Sequence, residues 1–315
     1  MMIASPLNYT GGKYKLLPQI LPLFPNDIET FVDLFCGGCN VGLNVEAQQV
    51  IYNDINQRLS DLFGTLRNLE KETTFEWIDQ IIAQYGLSRV SRNGYAFYGC
   101  DGAGGLARYN RERFLRLRQD FNRRTKDGLI DDYYSVMFYV LIVYAFNNQI
   151  RFNSRDEYNL PVGKRDFNDH MRQKLSGFID RVQAQNCRFT CADFRAFDAA
   201  GLGPDDFLYA DPPYLITCAS YNEKGGWSGR DEMDLLDFLD TLHAHHVRFA
   251  LSNVLRSKGK ENHILLDWLE AHAAQYHAIP LQFSYSNSNY HTKDRTSGSE
   301  EVLIVNYERG AAYAE

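Results

Sequence analysis

Cysteine is scarce in this chain, with six residues among 315, and its spacing is irregular. That argues against a disulfide scaffold and predicts a reduced, cytoplasmic setting. No run of eighteen or more apolar residues occurs, so no membrane-spanning helix and no membrane partner are expected. The N-terminus lacks the basic-then-apolar pattern of a signal peptide. Internal repeats and low-complexity tracts are also missing. Cys36-Gly37-Gly38-Cys39 has the spacing of a redox pair or half a zinc site, but no second cysteine pair completes it and no metal is expected. Cys187 and Cys191 read as buried small apolar residues. No acidic-and-lysine cluster has metal spacing, which leaves no basis for a nuclease in this chain.

What is present is enough chain for a sizeable core and two domains, or one core with a large insertion. Net charge is −7, mildly against a nucleic-acid partner, but it is unevenly spread. Between Gly86 and Lys126, ten basic residues (Arg89, Arg92, Arg108, Arg111, Arg113, Arg116, Arg118, Arg123, Arg124 and Lys126) face three acidic ones (Asp101, Glu112 and Asp120). The segment is therefore +7 and the rest of the chain −14. Such a field suits phosphate binding. The alternative is a solvated helix face, which usually mixes signs.

Hydrophobic periodicity divides the chain into three parts. Residues 1–56 read as turn, helix (14–21), strand (30–35), glycine loop, helix (41–48) and strand (50–54), a βαβ unit with a glycine-rich first turn. Residues 57–169 are helical, with apolar residues at helical spacing over 59–69, 75–85, 114–121 and 133–146. A polar, glycine-rich patch over 93–105 reads as a loop. In 170–315 the α/β pattern returns, with strands over 188–191, 207–210, 248–252 and 302–306 and helices over 233–243 and 262–275. The expected fold is an α/β domain interrupted by a helical insertion that carries the basic cluster.

The most informative segment is the apolar strand Phe207-Leu208-Tyr209-Ala210 running into Asp211-Pro212-Pro213-Tyr214. A carboxylate accepts a hydrogen bond from an amine. Pro212 and Pro213 have fixed backbone angles and no N–H, and they hold the preceding residue extended, so nearby carbonyls are presented stiffly. Tyr214 supplies a ring to stack on a planar base. Together these suit methylation of an exocyclic amine whose lone pair is tied up in an aromatic ring. The plain alternative is a strand ending in a proline turn.

Asp33-Leu34-Phe35-Cys36-Gly37-Gly38 sits where a dinucleotide-binding protein has its glycine turn, with Asp54 about 20 residues on, at the end of the second strand and suited to ribose hydroxyls. The spacing is not G-x-G-x-x-G, and the loop carries its own carboxylate, Asp33. It suits a cationic ligand such as S-adenosylmethionine better than a diphosphate; a generic strand-to-helix glycine turn is the other reading. Upstream, Asn8-Tyr9-Thr10-Gly11-Gly12-Lys13 is a tight turn whose lysine, near a helix N-terminus, holds a ligand carboxylate or carbonyl unless it is simply a surface residue.

Tyr9-Thr10-Gly11-Gly12-Lys13, Asp33-Leu34-Phe35-Cys36-Gly37-Gly38, Asn53-Asp54-Ile55-Asn56 and Asp211-Pro212-Pro213-Tyr214 occur in that order, with a basic helical segment between the second pair. This set closely resembles the Dam-type DNA adenine methyltransferases, phage-encoded members most of all, over nearly the whole chain, including Leu251-Ser252-Asn253-Val254 and Gly259-Lys260-Glu261-Asn262. The resemblance implies a class I S-adenosylmethionine-dependent methyltransferase fold, Rossmann-like with a seven-stranded mixed sheet, and an inserted helical target-recognition domain. It implies domains over 1–56, 57–169 and 170–315, with Asp211, Pro212, Pro213 and Tyr214 as catalytic residues. Tyr9, Lys13, Asp54 and Asp211 would contact the methyl donor, Phe35 and Gly37 would line its pocket, and Asp33 would face its ammonium. Asp193-Phe194 would hold the donor's adenine by a carboxylate bond and ring contact. S-adenosylhomocysteine is the implied product.

In the insertion, residues Tyr144 to Asn153 resemble the family's recognition hairpin, and Asn159-Leu160-Pro161-Val162-Gly163-Lys164 its N-x-P-x-G-basic continuation. Asn147 and Arg151 would meet base edges in the major groove, Phe146 would wedge into the base stack, and Pro161 with Arg108, Arg111 and Arg116 would add DNA contacts. The implied partner is double-stranded DNA, bound by a monomer or weak dimer, with GATC as the family's default target. Residues 93–110 look like extra sequence, and Asn8 stands where bacterial housekeeping members carry a lysine. Rival readings are methylation of cytosine in DNA or adenine in RNA, a DNA-binding protein with an inactive catalytic frame, and a nicotinamide oxidoreductase. Against the last stand the missing phosphate loop and Asp-Pro-Pro-Tyr.

Overall fold

The computed structural model describes residues 2–9, 11–217, 226–282 and 299–308. Thr10, in the expected Tyr9–Lys13 turn, lies outside the described residues. The chain divides into two units. One comprises Met1–Gly12, Gly37–Leu43 and Asn56–Phe189, the other Lys13–Cys36, Asn44–Ile55 and Thr190–Glu315.

The strands are β1 (Thr30–Asp33), β2 (Gln49–Asn53), β3 (Cys187–Thr190), β4 (Phe207–Ala210), β5 (Arg248–Ser257), β6 (Lys260–Glu261), β7 (His277–Leu281) and β8 (Glu300–Val305). The α-helices are α1 (Leu17–Ile20), α2 (Gln57–Asn68), α3 (Lys71–Tyr85), α4 (Val90–Phe97), α5 (Ala103–Lys126), α6 (Asp132–Tyr144), α7 (Asp169–Ala184), α8 (Gly229–Ala244) and α9 (His263–Ala271).

The second unit is built on a mixed sheet with seven strands in the order β3-β2-β1-β4-β5-β8-β7 and β6 paired to β5. Strand β3 enters this unit through Thr190, whose carbonyl accepts the Asp54 amide at 3.3 Å. Strands β2, β1, β4 and β5 run parallel, and β8 and β7 follow antiparallel. The period-two alternation of strands sorts the side chains. Val32, Leu208, Ala210, Phe249, Leu251 and Ile304 join a core with Leu235, Leu239 and Leu265 of α8 and α9. On alternate positions Phe31, Phe207 and Tyr209 pack with Phe24. All four residues of β4 are buried, as expected of a strand covered on both faces.

Two local expectations fail and one strand goes unread, each for an identifiable reason. The helix over 14–21 breaks into 3-10 turns at Lys13–Lys15 and Leu21–Leu23 around the four-residue α1, because Pro18 and Pro22 lack the amide that a continuous helix needs. No α-helix forms over 41–48; there is a 3-10 turn at Gly42–Asn44. Cys39 takes a left-handed φ of 63°, and the carbonyls of Gly42 and Leu43 accept from Gln185 Nε2 (3.1 Å) and Arg181 Nε (2.9 Å) instead of from a following helical turn. Strand β7 was not expected because Pro280 interrupts its pattern; it lies at the sheet edge, where a missing donor is tolerated.

The first unit is largely helical. Helix α6 is buried from Tyr134 to Tyr144 and packs against α2, α3 and α5, as a helix apolar all round must. Helix α5 runs 24 residues, well beyond the expected 114–121, burying Leu106, Asn110, Phe114, Leu117 and Phe121 along one stripe. The expected loop over 93–105 is partly helical: α4 reaches Phe97, kinked where Gly94 takes φ 72°, and α5 begins at Ala103. Cys187 is buried as expected, but Cys191 is exposed, because it follows the end of β3.

Candidate active site

Acidic residues gather where the strands of the second unit end. Asp33 closes β1, Asp54 follows β2, Asp211 follows β4, and Asp193 lies three residues past β3. The chain moves one way across the sheet through β1, β2 and β3, then resumes on the other side of β1 with β4 and β5. In open α/β sheets such a reversal opens a ligand crevice at the carboxyl ends of the strands. Asn53, 1% exposed, ties these ends together. Its Nδ2 donates to the carbonyls of Leu34 (3.1 Å) and Ala192 (3.0 Å), and its Oδ1 accepts from the Ala192 amide (3.1 Å) and Thr190 Oγ1 (2.9 Å).

At the end of β4, Asp211 Oδ1 accepts from Lys13 Nζ at 2.7 Å and lies 3.1 Å from the Tyr214 hydroxyl. Both contacts fall on one oxygen, and Oδ2 meets no hydrogen-bond donor among the described residues. Lys13 is 5% exposed, a buried group held against Asp211 and not a surface residue. Its ammonium also lies 4.8 Å over the Tyr214 ring. Glu301, at the start of β8, completes the cluster, with Oε1 3.0 Å from the Tyr214 hydroxyl and 3.7 Å from Lys13 Nζ. Burial pushes the Glu301 carboxyl up from its ordinary value, and burial with the Asp211 and Glu301 carboxylates pushes the Tyr214 phenol well up. Tyr214 is turned inward, Pro212 is buried and Pro213 is exposed.

Beside β1, Phe35 and Phe194 pack together (ring centroids 5.6 Å) and both meet Trp227, at 5.8 and 5.7 Å. Trp227 is fixed in turn by its Nε1, which donates to Glu232, a fully buried carboxylate on α8. The other Glu232 oxygen accepts from Asn253 (3.0 Å) and Asn262 (2.7 Å). Asp33 is 2% exposed, and Asp54 is half-buried. Asp193 is half-buried and bound to its neighbour: it caps the short turn Phe194–Ala196 and takes the Arg195 guanidinium at 3.2 Å. Arg195 also reaches Asp231 and Asp234.

In the first unit, Tyr9 and Gly37 make a matched pair. Gly37 has φ 45°, and a Cβ there would stand 2.7 Å from Tyr9 Cε1, so the ring packs against the loop because the loop has no side chain. Residues 144–163 form a hairpin-like segment. The Phe146 amide donates to the Pro161 carbonyl (2.9 Å), the Gly163 amide to Tyr144 (2.7 Å) and the Asn153 amide to Glu157 (2.9 Å). A Cβ on Gly163 would fall 2.3 Å from the Ala145 carbonyl oxygen, so any other residue would force the two backbone segments apart. Phe146, Asn147, Arg151 and Pro161 are all exposed on this segment. Arg151 Nε donates to Asn159 Oδ1 at 2.7 Å, which orients the guanidinium. Asn8 Nδ2 donates to Asn148 Oδ1 at 3.0 Å.

The basic cluster separates into two groups. Arg89 pairs with Asp79, Arg123 with Asp120, Arg124 with Asp131 and Lys126 with Glu157. Arg113 and Arg118 donate to the carbonyls of Tyr109 and Leu160, and Arg92 lies 3.9 Å from Asp79. Arg108, Arg111 and Arg116 are exposed on α5 and form no ion pair with any described residue. Of the ten cations counted in the sequence, these three face solvent without an ion-pair partner among the described residues.

A family model described as D12 class N6 adenine-specific DNA methyltransferase matches residues 9–283. The chain belongs to this D12 class. It is 41% identical over 312 residues to the modification methylase StsI of Streptococcus sanguinis and 42% identical over 312 residues to the type II methyltransferase M.FokI of Planomicrobium okeanokoites. Each match covers 97% of this chain but 43% of the relative, so the chain spans less than half the length of these two. A DNA adenine methylase of Salmonella typhi is 26% identical, with 97% of this chain and 96% of that protein covered.

For a D12 chain, the motif reading located Lys13, Asp33, Asp54, Asp211 and Tyr214, and the structure brings Lys13, Asp211 and Tyr214 into direct contact. It missed Glu301, Trp227 and Glu232. Trp227 and Glu232 follow the Asp-Pro-Pro-Tyr strand without any local signature. Glu301 lies 90 residues beyond Asp211 and reads locally as one of two acidic residues opening a strand. Among the described residues no cluster of His, Cys, Asp or Glu has the arrangement of a metal site, and no helix is long and apolar enough to cross a membrane.

Proposed function

We propose that this chain transfers a methyl group from S-adenosylmethionine to the exocyclic N6 of an adenine flipped out of a short duplex DNA motif, with GATC as the default target. The observation that carries the reading is Asp211 at the end of β4. One of its carboxylate oxygens is held by Lys13 and Tyr214, and the other is open to accept from an amine.

The residues fit a methyl donor that carries an ammonium and a sulfonium. The buried Asp33 and the half-buried Asp54 supply negative charge and ribose acceptors at the ends of β1 and β2. Phe35 and Phe194 supply ring surface beside them. When bound, this donor provides the electrophilic methyl group. The protein's own work is then to orient and to accept. Asp211 accepts a hydrogen bond from one amine hydrogen and a carbonyl of the rigid Pro212-Pro213 segment accepts from the other, drawing the nitrogen lone pair out of ring conjugation. One proton is lost only after the methyl group has moved and the donor has become the neutral thioether. Orientation supplies the rest of the rate gain. Extruding the base costs about a few kcal/mol, offset by stacking in the pocket. Tyr214 offers its ring to the flipped base while its hydroxyl keeps the Asp211 and Glu301 contacts.

In the first unit, Arg108, Arg111 and Arg116 serve as phosphate contacts. Asn147 and Arg151 serve as base readers, with Phe146 as a wedge and Pro161 at the hairpin base. The test is transfer of labelled methyl from S-adenosylmethionine to unmodified duplex DNA, single-stranded DNA and RNA, with the modified base identified by mass. Methyladenine at one duplex motif is the expected product. Methylcytosine, or modification of RNA alone, would overturn the assignment.

A further inference from the structure

The Asp211 cluster contains more acceptors than the hydrogens on its groups can serve. The Tyr214 oxygen lies 3.1 Å from Asp211 Oδ1 and 3.0 Å from Glu301 Oε1, and a phenol has one hydrogen. If both carboxyls were ionised, one of these contacts would place two bare oxygens together. Two buried negative charges would then share the single ammonium of Lys13, which sits 2.7 Å from Asp211 but 3.7 Å from Glu301. Glu301 is the more buried, its side chain 2% exposed against 17% for Asp211. Its second oxygen, Oε2, is buried with no hydrogen-bond partner among the described residues. An unpartnered oxygen in a dry site costs far less on a neutral acid than on a carboxylate.

We propose that Glu301 is a positioning residue for methyl transfer: a neutral carboxylic acid whose Oε1–H donates to Tyr214, so that the Tyr214 hydroxyl donates to Asp211. This inference rests on the methyltransferase reading above. The chain then runs from Glu301 through the Tyr214 oxygen to Asp211 Oδ1, where Lys13 donates as well, and every short contact has its hydrogen. Both donors converge on Oδ1, which fixes the carboxylate plane and leaves Oδ2 aimed as the acceptor for the substrate amine. The groups facing Glu301 are Lys13 from the first 3-10 turn, Tyr209 on β4, and Asp211 and Tyr214 beyond it. Its chain neighbour Glu300 points outward and pairs with Arg256 at 3.0 Å. Burial raises the Glu301 carboxyl, consistent with its holding the proton.

Two measurements on the full chain test this separately from the function itself. The first is infrared difference spectroscopy of wild type against Glu301→Gln at neutral pH. A protonated carboxyl band that is present in wild type and missing in the variant is expected, and its absence from wild type would overturn the proposal whether or not the chain transfers methyl groups. The second is single-turnover methyl transfer to duplex DNA. Glu301→Gln, whose amide also donates to Tyr214, should keep kcat near wild type and lose the alkaline decline that ionisation of Glu301 imposes. Glu301→Ala should lower kcat about a hundred-fold, the scale of a misplaced catalytic group, with donor affinity unchanged. Equal losses in Gln and Ala, or a full rate in Ala, would overturn it. If Glu301→Ala does not fold, the pH profile of Glu301→Gln decides: an unchanged alkaline limb refutes the proposal.

Discussion

Replacing Glu232 with alanine removes a fully buried carboxylate that serves three N–H donors: Trp227 Nε1, Asn253 Nδ2 and Asn262 Nδ2. Each buried donor left unpaired costs about 1–3 kcal/mol, and water entering the space recovers part of that. The net loss should be about 3–5 kcal/mol, the range for deleting one partner of a buried charged network. At roughly 2–4 °C per kcal/mol for a larger domain, the melting temperature should fall by about 10 °C. Glu232→Gln keeps one oxygen for the two asparagines but turns an NH2 toward the indole, so it should cost about 1–3 kcal/mol. Because Trp227 packs on both Phe35 and Phe194, the alanine variant should also bind the methyl donor more weakly. Calorimetric melting gives the stability, and titration of the donor gives the affinity. A loss below about 1 kcal/mol for Glu232→Ala, with Trp227 fluorescence unchanged, would refute the reasoning that this carboxylate holds the aromatic cluster.

Neutralising Arg108, Arg111 and Arg116 together should weaken binding to every duplex alike and reduce the salt slope by about 3, one for each phosphate contact; an unchanged slope in a filter-binding series would remove them from the interface. Arg151→Ala should leave overall affinity largely intact while relaxing preference at one base position by about 1–3 kcal/mol, read from binding to a set of single-substitution duplexes; unchanged preference would deny it base readout. Gly37→Ala places a methyl 2.7 Å from the Tyr9 ring at φ 45°. It should cost about 1–3 kcal/mol in stability, read by calorimetric melting; an unaltered melting temperature would contradict the contact.

The legible parts of the site were those whose chemistry is contiguous in the chain. Asp211 to Tyr214 follows directly from the buried strand Phe207–Ala210, so one short segment carried both the strand and the candidate site residues at its end. Glu301 was hidden because β8 must pair with β5 before its side chain meets Tyr214, 87 positions earlier in the chain. The +7 charge sum does not show how much of that charge is already paired within the fold. Arg89, Arg123, Arg124 and Lys126 answer carboxylates that come from other helices and loops or from their own turn, which a charge sum cannot reveal. The missing helix at 41–48 has the same origin: Arg181 and Gln185, 138 and 143 residues away, satisfy the Leu43 and Gly42 carbonyls and make a longer helix unnecessary. Local pattern placed the apolar stripes of α2, α3 and α6 well, because those depend only on spacing along one helix.

The central claim is that Asp211 accepts from the target amine, and it is tested most directly by comparing wild type with Asp211→Ala. The measurement is a single turnover of methyl transfer to pre-bound duplex DNA, with DNA affinity determined on the same samples. The account predicts that the variant binds DNA as wild type does and forms no methyladenine. Near-normal methylation by Asp211→Ala would contradict it.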